Sequence, residues 1–408
     1  MNRNLFSLIF ILASFGLFWI CVVRQLGNSS ILHPDPGFDS IPKHRSLANE
    51  EDEGEPPIQI CGRVAPIPHD RVRRLSNKYS SCTSFDRPPE NTTLLLLEGM
   101  ETFGRTGNNL IEFLHSLQYA KDEDMALGIM PNSWPGHLIT PMWMAIQETG
   151  QADWREFFER SFCVKFFDHQ QETEKYKEII HVDSRDAIRD QLFTYKYYGP
   201  LNQYIEFQGQ ILRTLWQSYN TGIGKDMRGR PVGDMCSVID TMFGSERSSA
   251  EYSVIHSRSL EGLPGEILLG IISRRSGCDP FGALNMTPDY VKSILKHQGM
   301  MNKPILFLTD HQQPEILERL LADPEIGPHI HLAPEEASWV GGDITAAIMA
   351  DVFIGNPAST FSGFIAKSRI ALGYEKNVLF RKRLQNGGWG DSLKHRHIFD
   401  HLVVNAMA

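Results

Sequence analysis

Short apolar runs alternate with segments of helical periodicity along much of this chain, and that alternation restricts its fold more than any other feature. The first run, residues 93–98, reads TLLLLE and is followed by a glycine-containing loop and then by apolar residues at helical spacing. Similar runs occur at residues 252–256, 304–308 and 352–355. Strands without polar residues are typical of parallel sheets covered by helices. The pattern predicts an α/β fold, with a doubly wound parallel sheet in the C-terminal half.

The middle of the chain is less regular. Residues 125–245 read as mostly helical, and residues 244–250 read as a linker ahead of the next strand. We therefore expect an N-terminal domain at residues 90–245 and a C-terminal domain at residues 246–395, followed by a tail at residues 396–408.

Residues 5–23 form an apolar run of 19 residues without a charge. As a helix this run would be about 28 Å long, close to the thickness of a bilayer core. A cleaved signal peptide has a shorter apolar centre, of about 7–15 residues, and a small-residue cleavage site. We therefore expect an uncleaved transmembrane signal anchor of a single-pass type II protein in the Golgi or ER membrane. Residues 1–4 would be cytosolic and the folded body luminal.

Residues 24–89 have the composition of a stem, with several prolines and an acidic run at residues 50–55. Such a segment buries too little apolar surface to offset its ordering entropy. Six cysteines are present, and the five outside the anchor would lie in an oxidising lumen, where pairing is expected. An odd number leaves at least one free or paired between chains, and the spacing does not reveal the connectivity. The five are Cys61, Cys82, Cys163, Cys236 and Cys278.

The formal net charge of −9 and the pI near 5.9 argue against a nucleic-acid partner. No cysteine or histidine pair has the spacing of a zinc site, so we expect no structural metal. Glycosylation sequons at Asn28, Asn91 and Asn285 agree with a luminal body.

Polar loops follow three of the predicted strands, where parallel sheets bind ligands. The first contains Arg105, Gly107 and Asn108, which offer a close backbone approach, helix N–H groups and donors for an anionic or hydroxylated ligand. It also fits an ordinary glycine-containing turn. The sequence lacks the GxGxxG spacing of a dinucleotide site at this loop.

The second loop contains His256, Arg258 and Glu261. A guanidinium at a strand end suits a diphosphate leaving group, because its charge is permanent and it can bind two oxygens at once. His256 could hydrogen-bond the base or the sugar of a nucleotide sugar. An Arg258–Glu261 ion pair that closes a turn fits the pattern equally well.

The third constellation joins Asp343 to the loop that carries Ser359, Thr360 and Phe361. Hydroxyl and N–H groups at the start of a helix form a ready anion site, although the same residues also serve as helix caps. A carboxylate at Asp343 matches the paired N–H donors of a guanine edge.

Together the three loops resemble motifs of the GDP-fucose-dependent fucosyltransferases, and they occur in the same order along the chain. The segment GRTGNNLIEFLHSLQYAK resembles the first motif of protein O-fucosyltransferases. The segment IHSRSLEG resembles the H-x-R-R-x-D motif shared with α1,2- and α1,6-fucosyltransferases, and DVFIGNPASTFS resembles their nucleotide loop. The resemblance covers residues 93–125 and 252–375.

This resemblance implies a GT-B-like fold of two facing Rossmann-like domains, and inverting transfer of fucose from GDP-fucose to a glycan or glycoprotein acceptor without an essential cofactor or metal. Arg258 would bind the diphosphate, with Glu261 as a candidate base, and Arg105, Gly107 and Asn108 would face the sugar or acceptor. The nucleotide would contact His256, Asp343, Ser359, Thr360 and Phe361.

Two departures from the motif keep alternatives open. The second arginine of H-x-R-R-x-D is Ser259 here, and its aspartate is Glu261. Stabilisation of the diphosphate would then rest mainly on Arg258, with Arg274 or Arg275 as substitutes. A transferase that uses another nucleotide sugar on the same fold, or a non-catalytic luminal binding protein, remains compatible with the sequence.

Overall fold

The structure is a computed structural model, and its predicted membrane anchor and C-terminal tail lie outside the residues that it describes. No helix within the described part of the chain is both long and apolar enough to cross a membrane. The described residues are 58–66, 87–99, 106–130, 133, 159, 164–182, 209, 211–213, 216, 223–225, 231–257, 286–309, 314–333, 339–355, 360–374 and 376–379.

A small antiparallel hairpin comes first in the described chain and consists of β1 (Gln59–Ile60) and β2 (Arg63–Val64). Its two central residues, Cys61 and Gly62, both have positive φ, at 51° and 76°. Such angles define the tight hairpin turn whose twist matches that of the flanking strands.

A four-stranded parallel sheet follows, in the order β5-β4-β3-β6. Its central strand β3 is buried along most of its length, because leucines point to both faces. Helix α1 crosses from β3 to β4 and buries an apolar face against the sheet. The elements are β3 (Thr93–Leu97), α1 (Thr106–Asp122), β4 (Ala126–Ile129), β5 (Val164–Phe166) and β6 (Glu178–Val182).

A second antiparallel pair and a short helix connect the two sheets in sequence. They are β7 (Ile223–Lys225), β8 (Pro231–Asp234) and α2 (Ser237–Phe243). Short 3-10 helices occur at Pro89–Asn91, Gln170–Glu172, Gly244–Glu246 and Gly327–His329.

The second parallel sheet has five strands in the order β11-β10-β9-β12-β13. Helices cover both of its faces, so β9 and β12 are fully buried. The elements are β9 (Ser253–Ser257), α3 (Pro288–His297), β10 (Ile305–Thr309), α4 (Pro314–Leu321), β11 (Ile330–Leu332), α5 (Val340–Met349), β12 (Val352–Gly355), α6 (Thr360–Ala371) and β13 (Asn377–Leu379).

These two sheets confirm the α/β prediction, because the chain contains two parallel sheets packed with helices. The strands predicted at residues 93–98, 252–256, 304–308 and 352–355 begin and end within one residue of the observed strands. The domain boundaries themselves stay predictions.

The prediction that residues 125–245 are mostly helical is wrong for the described part of that segment. Three parallel strands, β4, β5 and β6, lie within it and complete the first sheet. The strands are only three to five residues long, and the outer two carry charged residues, so none gives a long apolar run. The sheet itself, rather than local sequence, stabilises them.

The hairpin β1–β2 lies inside the segment that was predicted to be a stem, yet it packs on the folded body. The side chains of Ile58 and Ile60 are buried in the main core, and a disulfide joins Cys61 to Cys236 at the start of α2. Apolar burial and a covalent link therefore extend the folded body to residues that precede the first parallel strand.

Arg63 provides the hairpin's polar attachment. Its guanidinium donates hydrogen bonds to the carbonyls of Arg247 and Ala250, lies 3.4 Å from a carboxylate oxygen of Asp351, and sits 5.1 Å from the ring centroid of Tyr252. Asp351 also accepts a hydrogen bond from the Tyr252 amide. Arg63 thus bonds the hairpin to residues that lie just before β9 and just before β12 in the second sheet.

A second buried arginine, Arg369 in the last turn of α6, organises the end of α5. Its Nη1 donates to the carbonyls of Ala347, Ile348 and Ala350, and its Nε donates to Asn377 at the start of β13. These carbonyls lie at the end of α5, where helix geometry leaves them without intrahelical partners. A positive charge at a helix C-terminus is also electrostatically favourable.

Candidate functional site

Parallel strand order brings three of the predicted site segments to one edge of the second sheet. His256 is the penultimate residue of β9, and α6 begins after β12. Helix α5, which carries Asp343 in its first turn, begins after β11. In a parallel sheet each crossover helix starts at the carboxyl end of the preceding strand. His256, Asp343 and the start of α6 therefore share the carboxyl edge, where doubly wound sheets bind ligands.

His256 is buried against the start of α6. Its Nδ1 lies 2.7 Å from Oγ of Ser362, and its ring centroid lies 4.9 Å from that of Phe361, with the two planes tilted by 45°. The phenyl ring restricts rotation of the imidazole, and the hydrogen bond occupies one ring nitrogen.

Asp343 has a carboxylate oxygen in an unusual environment. Oδ1 is buried and has no hydrogen-bond partner among the described residues. Burial raises the pKa of this carboxyl to about 6, from an ordinary value of 3.8. Buried carboxylate oxygens normally accept a hydrogen bond, so an unmatched acceptor at a ligand-binding edge indicates a site for N–H or O–H donors.

The raised pKa makes a testable contribution to stability. Above about pH 6 the folded state carries a buried charge that the unfolded state solvates freely, and the cost disappears as the pH falls and Asp343 binds a proton. The unfolding free energy of Asp343→Asn relative to the natural chain should therefore rise by about 2 to 3 kcal/mol between about pH 4 and pH 8. Urea unfolding over this range measures the difference.

The exposed carboxyl of Asp289 gives a matched control. Its side chain is 93% exposed, so Asp289→Asn should not show the same rise with pH. If the unfolding free energies of the natural chain and of Asp343→Asn differed by the same amount at every pH, that result would contradict a carboxylate that is buried and charged.

The first sheet contributes its own helix start to this region. A Cβ placed on Gly107, in the first turn of α1, would lie 2.3 Å from the backbone nitrogen of Phe361 in α6. Only glycine permits that approach, so α1 and α6 meet at their N-terminal turns. The positive ends of two helix dipoles thus come together next to His256, which favours a negatively charged ligand.

Among the predicted site positions, Phe361 lies against both Gly107 and His256, and Asp343 lies in the first turn of α5. Gly107 was expected to face a sugar or acceptor, and its role in the structure is the close packing of two helices. For Asn108 and Thr360 only the helical backbone is described, and four predicted site residues lie outside the described ranges: Arg105, Arg258, Glu261 and Ser359.

A separate cavity of about 270 Å³ lies beside the first sheet. Its lining includes Thr92 and Ala126, which are next to or at the starts of β3 and β4, and it contains none of the predicted site residues. Some of the charged side chains that line the cavity form ion pairs, namely Lys165 with Glu159 and Arg87 with Asp124. The chemistry described above therefore lies at the other sheet.

Among the described residues, no group of three or more histidine, cysteine, aspartate or glutamate side chains could hold a metal ion. The described acceptors at the carboxyl edge are single side chains on separate elements.

Comparison with solved structures shows similarity to POFUT1. Its apo form aligns with a TM-score of 0.40 and 14% identity, covering 73% of this chain and 100% of that chain. Its complex with GDP-fucose aligns with a TM-score of 0.37 and 11% identity, covering 73% and 99%.

The E. coli heptosyltransferase WaaC, solved with ADP-2-deoxy-2-fluoro heptose, aligns with a TM-score of 0.26 and 11% identity, covering 74% of this chain and 96% of that chain. No protein-family model matches the sequence, and no curated protein matches it.

Proposed function

We propose that this chain is a glycosyltransferase of GT-B type that binds a nucleotide sugar at the carboxyl edge of its second sheet. The donor is GDP-fucose, which follows from the sequence resemblance, and the acceptor is a glycan or glycoprotein. Residues 5–23 anchor the enzyme in the Golgi or ER membrane with its body in the lumen. The disulfide between Cys61 and Cys236 supports that placement, because such bonds persist in oxidising compartments.

The observation that carries this proposal is the meeting of α1 and α6 at Gly107 and Phe361, beside His256. Backbone N–H groups at a helix start bind phosphate without a side-chain charge. Two such starts, contributed by the two sheets, provide N–H groups for a diphosphate bound beside their point of contact. Departure of the sugar increases the charge on that diphosphate, so the same groups would stabilise the transition state.

Asp343 gives the site a means to select the base. Its buried Oδ1 lacks a partner among the described residues, and guanine offers two adjacent N–H donors that one carboxylate can accept. Adenine and uracil lack that paired donor edge. A guanine nucleotide would therefore satisfy an acceptor that otherwise costs stability.

Arg258, directly after β9, is the proposed diphosphate ligand that neutralises the leaving group, and Glu261 is the candidate base. Because Ser259 stands where the motif has a second arginine, Arg258 would supply most of the positive charge that neutralises the diphosphate. Arg258→Ala should therefore abolish transfer from GDP-fucose while leaving the unfolding temperature within a few degrees. Arg319→Ala, on an exposed face of α4, is the matched control and should retain full turnover.

The full chain in detergent should be incubated with GDP, GDP-fucose, UDP-sugars and ADP-sugars, with thermal unfolding and donor hydrolysis as readouts. We expect stabilisation by guanine nucleotides and hydrolysis of GDP-fucose. Stabilisation by GDP without any turnover would favour the non-catalytic binding protein. A response to uridine compounds alone would exclude the fucose donor, and full activity of Arg258→Ala would refute its assignment.

A further inference from the structure

The first sheet carries a histidine–glutamate pair at the carboxyl ends of two neighbouring strands. His181 is the penultimate residue of β6, and Glu98 directly follows β3. Nδ1 of His181 lies 2.6 Å from Oε1 of Glu98. The other ring nitrogen, Nε2, has no hydrogen-bond partner among the described residues, and the His181 side chain is 48% exposed. A ligand can therefore reach the ring.

Strand order places this pair at the switch point of the first sheet. From β3 the chain crosses through α1 to β4 on one side, while β6 pairs with β3 on the other side. Doubly wound sheets bind ligands in the crevice outside the carboxyl ends of the two strands where the order reverses in this way. His181 and Glu98 lie at those two strand ends. An exposed ion pair contributes little to stability, so this location favours a role in chemistry.

The second sheet repeats the same strand order. From β9 the chain crosses through α3 to β10 on one side, while β12 pairs with β9 on the other side. Helix α1 follows β3 and helix α6 follows β12, and the two helices meet at Gly107 and Phe361. The helix starts at the two switch points are therefore in contact. One crevice can hold a donor at the second sheet and its acceptor at the first.

The contact with Glu98 determines which ring nitrogen of His181 is basic. A carboxylate only accepts hydrogen bonds, so a neutral His181 must carry its proton on Nδ1 to donate to Glu98. Nε2 then has a lone pair. When Nε2 takes up a proton, the adjacent carboxylate stabilises the positive ring. The pair is therefore arranged to remove a proton from a hydroxyl group.

We propose that His181 is the general base of the transfer and that Glu98 is the residue that positions it. Nε2 removes the proton of the acceptor hydroxyl as the hydroxyl oxygen forms a bond to the anomeric carbon of the donor sugar. The bond between that carbon and the diphosphate oxygen breaks, and GDP leaves with the electron pair. The proton then passes from His181 to solvent. This inference rests on the proposed function, and it concerns a role for which the sequence offered only Glu261.

The first test is hydrolysis of GDP-fucose by the full chain in detergent, with water as the acceptor. A general base contributes about 10²- to 10⁴-fold to the rate, so His181→Ala should lower kcat at least about 100-fold. Its GDP affinity in calorimetry should stay within about twofold, because the base does not hold the nucleotide. Added imidazole should restore part of the rate. The matched control is His297→Ala, at an exposed position at the end of α3, which should keep full turnover.

The second test examines how Glu98 positions the ring, by nuclear magnetic resonance of the full chain labelled with ¹⁵N at histidine. Without ligand at about pH 8, where an ordinary imidazole is neutral, His181 should show a pyrrole-type Nδ1 and a pyridine-type Nε2. Its signals are identified by their loss in His181→Ala. A glutamine amide can donate or accept, so Glu98→Gln should mix the two tautomers. Hydrolysis by this variant should fall about tenfold or more.

Full hydrolysis by His181→Ala would overturn the assignment of the base. A loss of rate that imidazole does not rescue, together with weakened GDP binding, would show a structural role and overturn it as well. A pyridine-type Nδ1 in the natural chain would contradict the pair even if a variant failed to fold. If the natural chain hydrolysed no nucleotide sugar, the proposed function itself would fail, and that result is distinct because it appears without any substitution.

Discussion

Replacement of Cys61 or Cys236 with serine should lower the free energy of unfolding by several kcal/mol. The disulfide between them closes a loop with a sequence separation of 175 residues. Loop-closure entropy for a separation of that size corresponds to about 5 kcal/mol, and measured losses commonly lie between about 2 and 5 kcal/mol. The bond also holds the hairpin on the body, so its loss should release burial at Ile58 and Ile60.

Comparison of the two single variants with the double variant separates the effect of the disulfide from the effect of each side chain. Each single substitution already removes the whole bond, so all three proteins should lose nearly the same free energy in chemical denaturation. Additive losses would show that packing of the individual side chains, rather than the link, determines the effect. Equal stability of all three variants and the natural chain would contradict a stabilising disulfide.

Arg369→Met should lower the free energy of unfolding by about 3 to 5 kcal/mol, because it removes the donor to several buried carbonyls, and each buried acceptor left unsatisfied costs about 1 to 3 kcal/mol. Carbonyls of Ala347, Ile348 and Ala350 would lose their donor. Methionine has a similar length, so the change in packed volume is modest. Burial disfavours the charged guanidinium and lowers the pKa of Arg369 to about 10.

Two comparisons make the Arg369 measurement specific. Arg369→Lys keeps a charge but loses the planar fork, so it should be intermediate in stability. Arg319→Met removes an exposed arginine whose Nε donates to the Glu315 carbonyl, and it should cost less than about 1 kcal/mol. A loss at Arg369 no larger than at Arg319 would mean that the buried carbonyls find other donors.

The second sheet was predictable because two of its three central strands, β10 and β12, are apolar runs between turn signals. Burial on both faces requires that composition. The first sheet was only partly predictable. Its outer strand β6 reads EIIHV and is exposed at several positions, so its strand character comes from pairing with β3 rather than from its own sequence.

The places of His256 near the end of a strand and of Phe361 at the start of a helix were predictable from the pattern of strands and loops, while their roles in binding stay predictions. The packing role of Gly107 was not predictable, because the backbone that requires a glycine there belongs to Phe361, 254 residues later in the sequence (361 − 107). Ser362 was visible only as one hydroxyl among several. No local pattern shows which histidine a serine contacts when 106 residues separate them.

The hairpin's disulfide also sets an order of events during synthesis. Cys61 is made 175 residues before its partner, and at typical translation speeds that interval is roughly 10 to 35 s. For that time the early thiol must wait in reduced form or in a temporary bond with another cysteine, such as Cys82 or Cys163. Correct maturation of the chain therefore requires that the Cys61 thiol stay reduced, or be released from a temporary bond by thiol exchange, until Cys236 has been made.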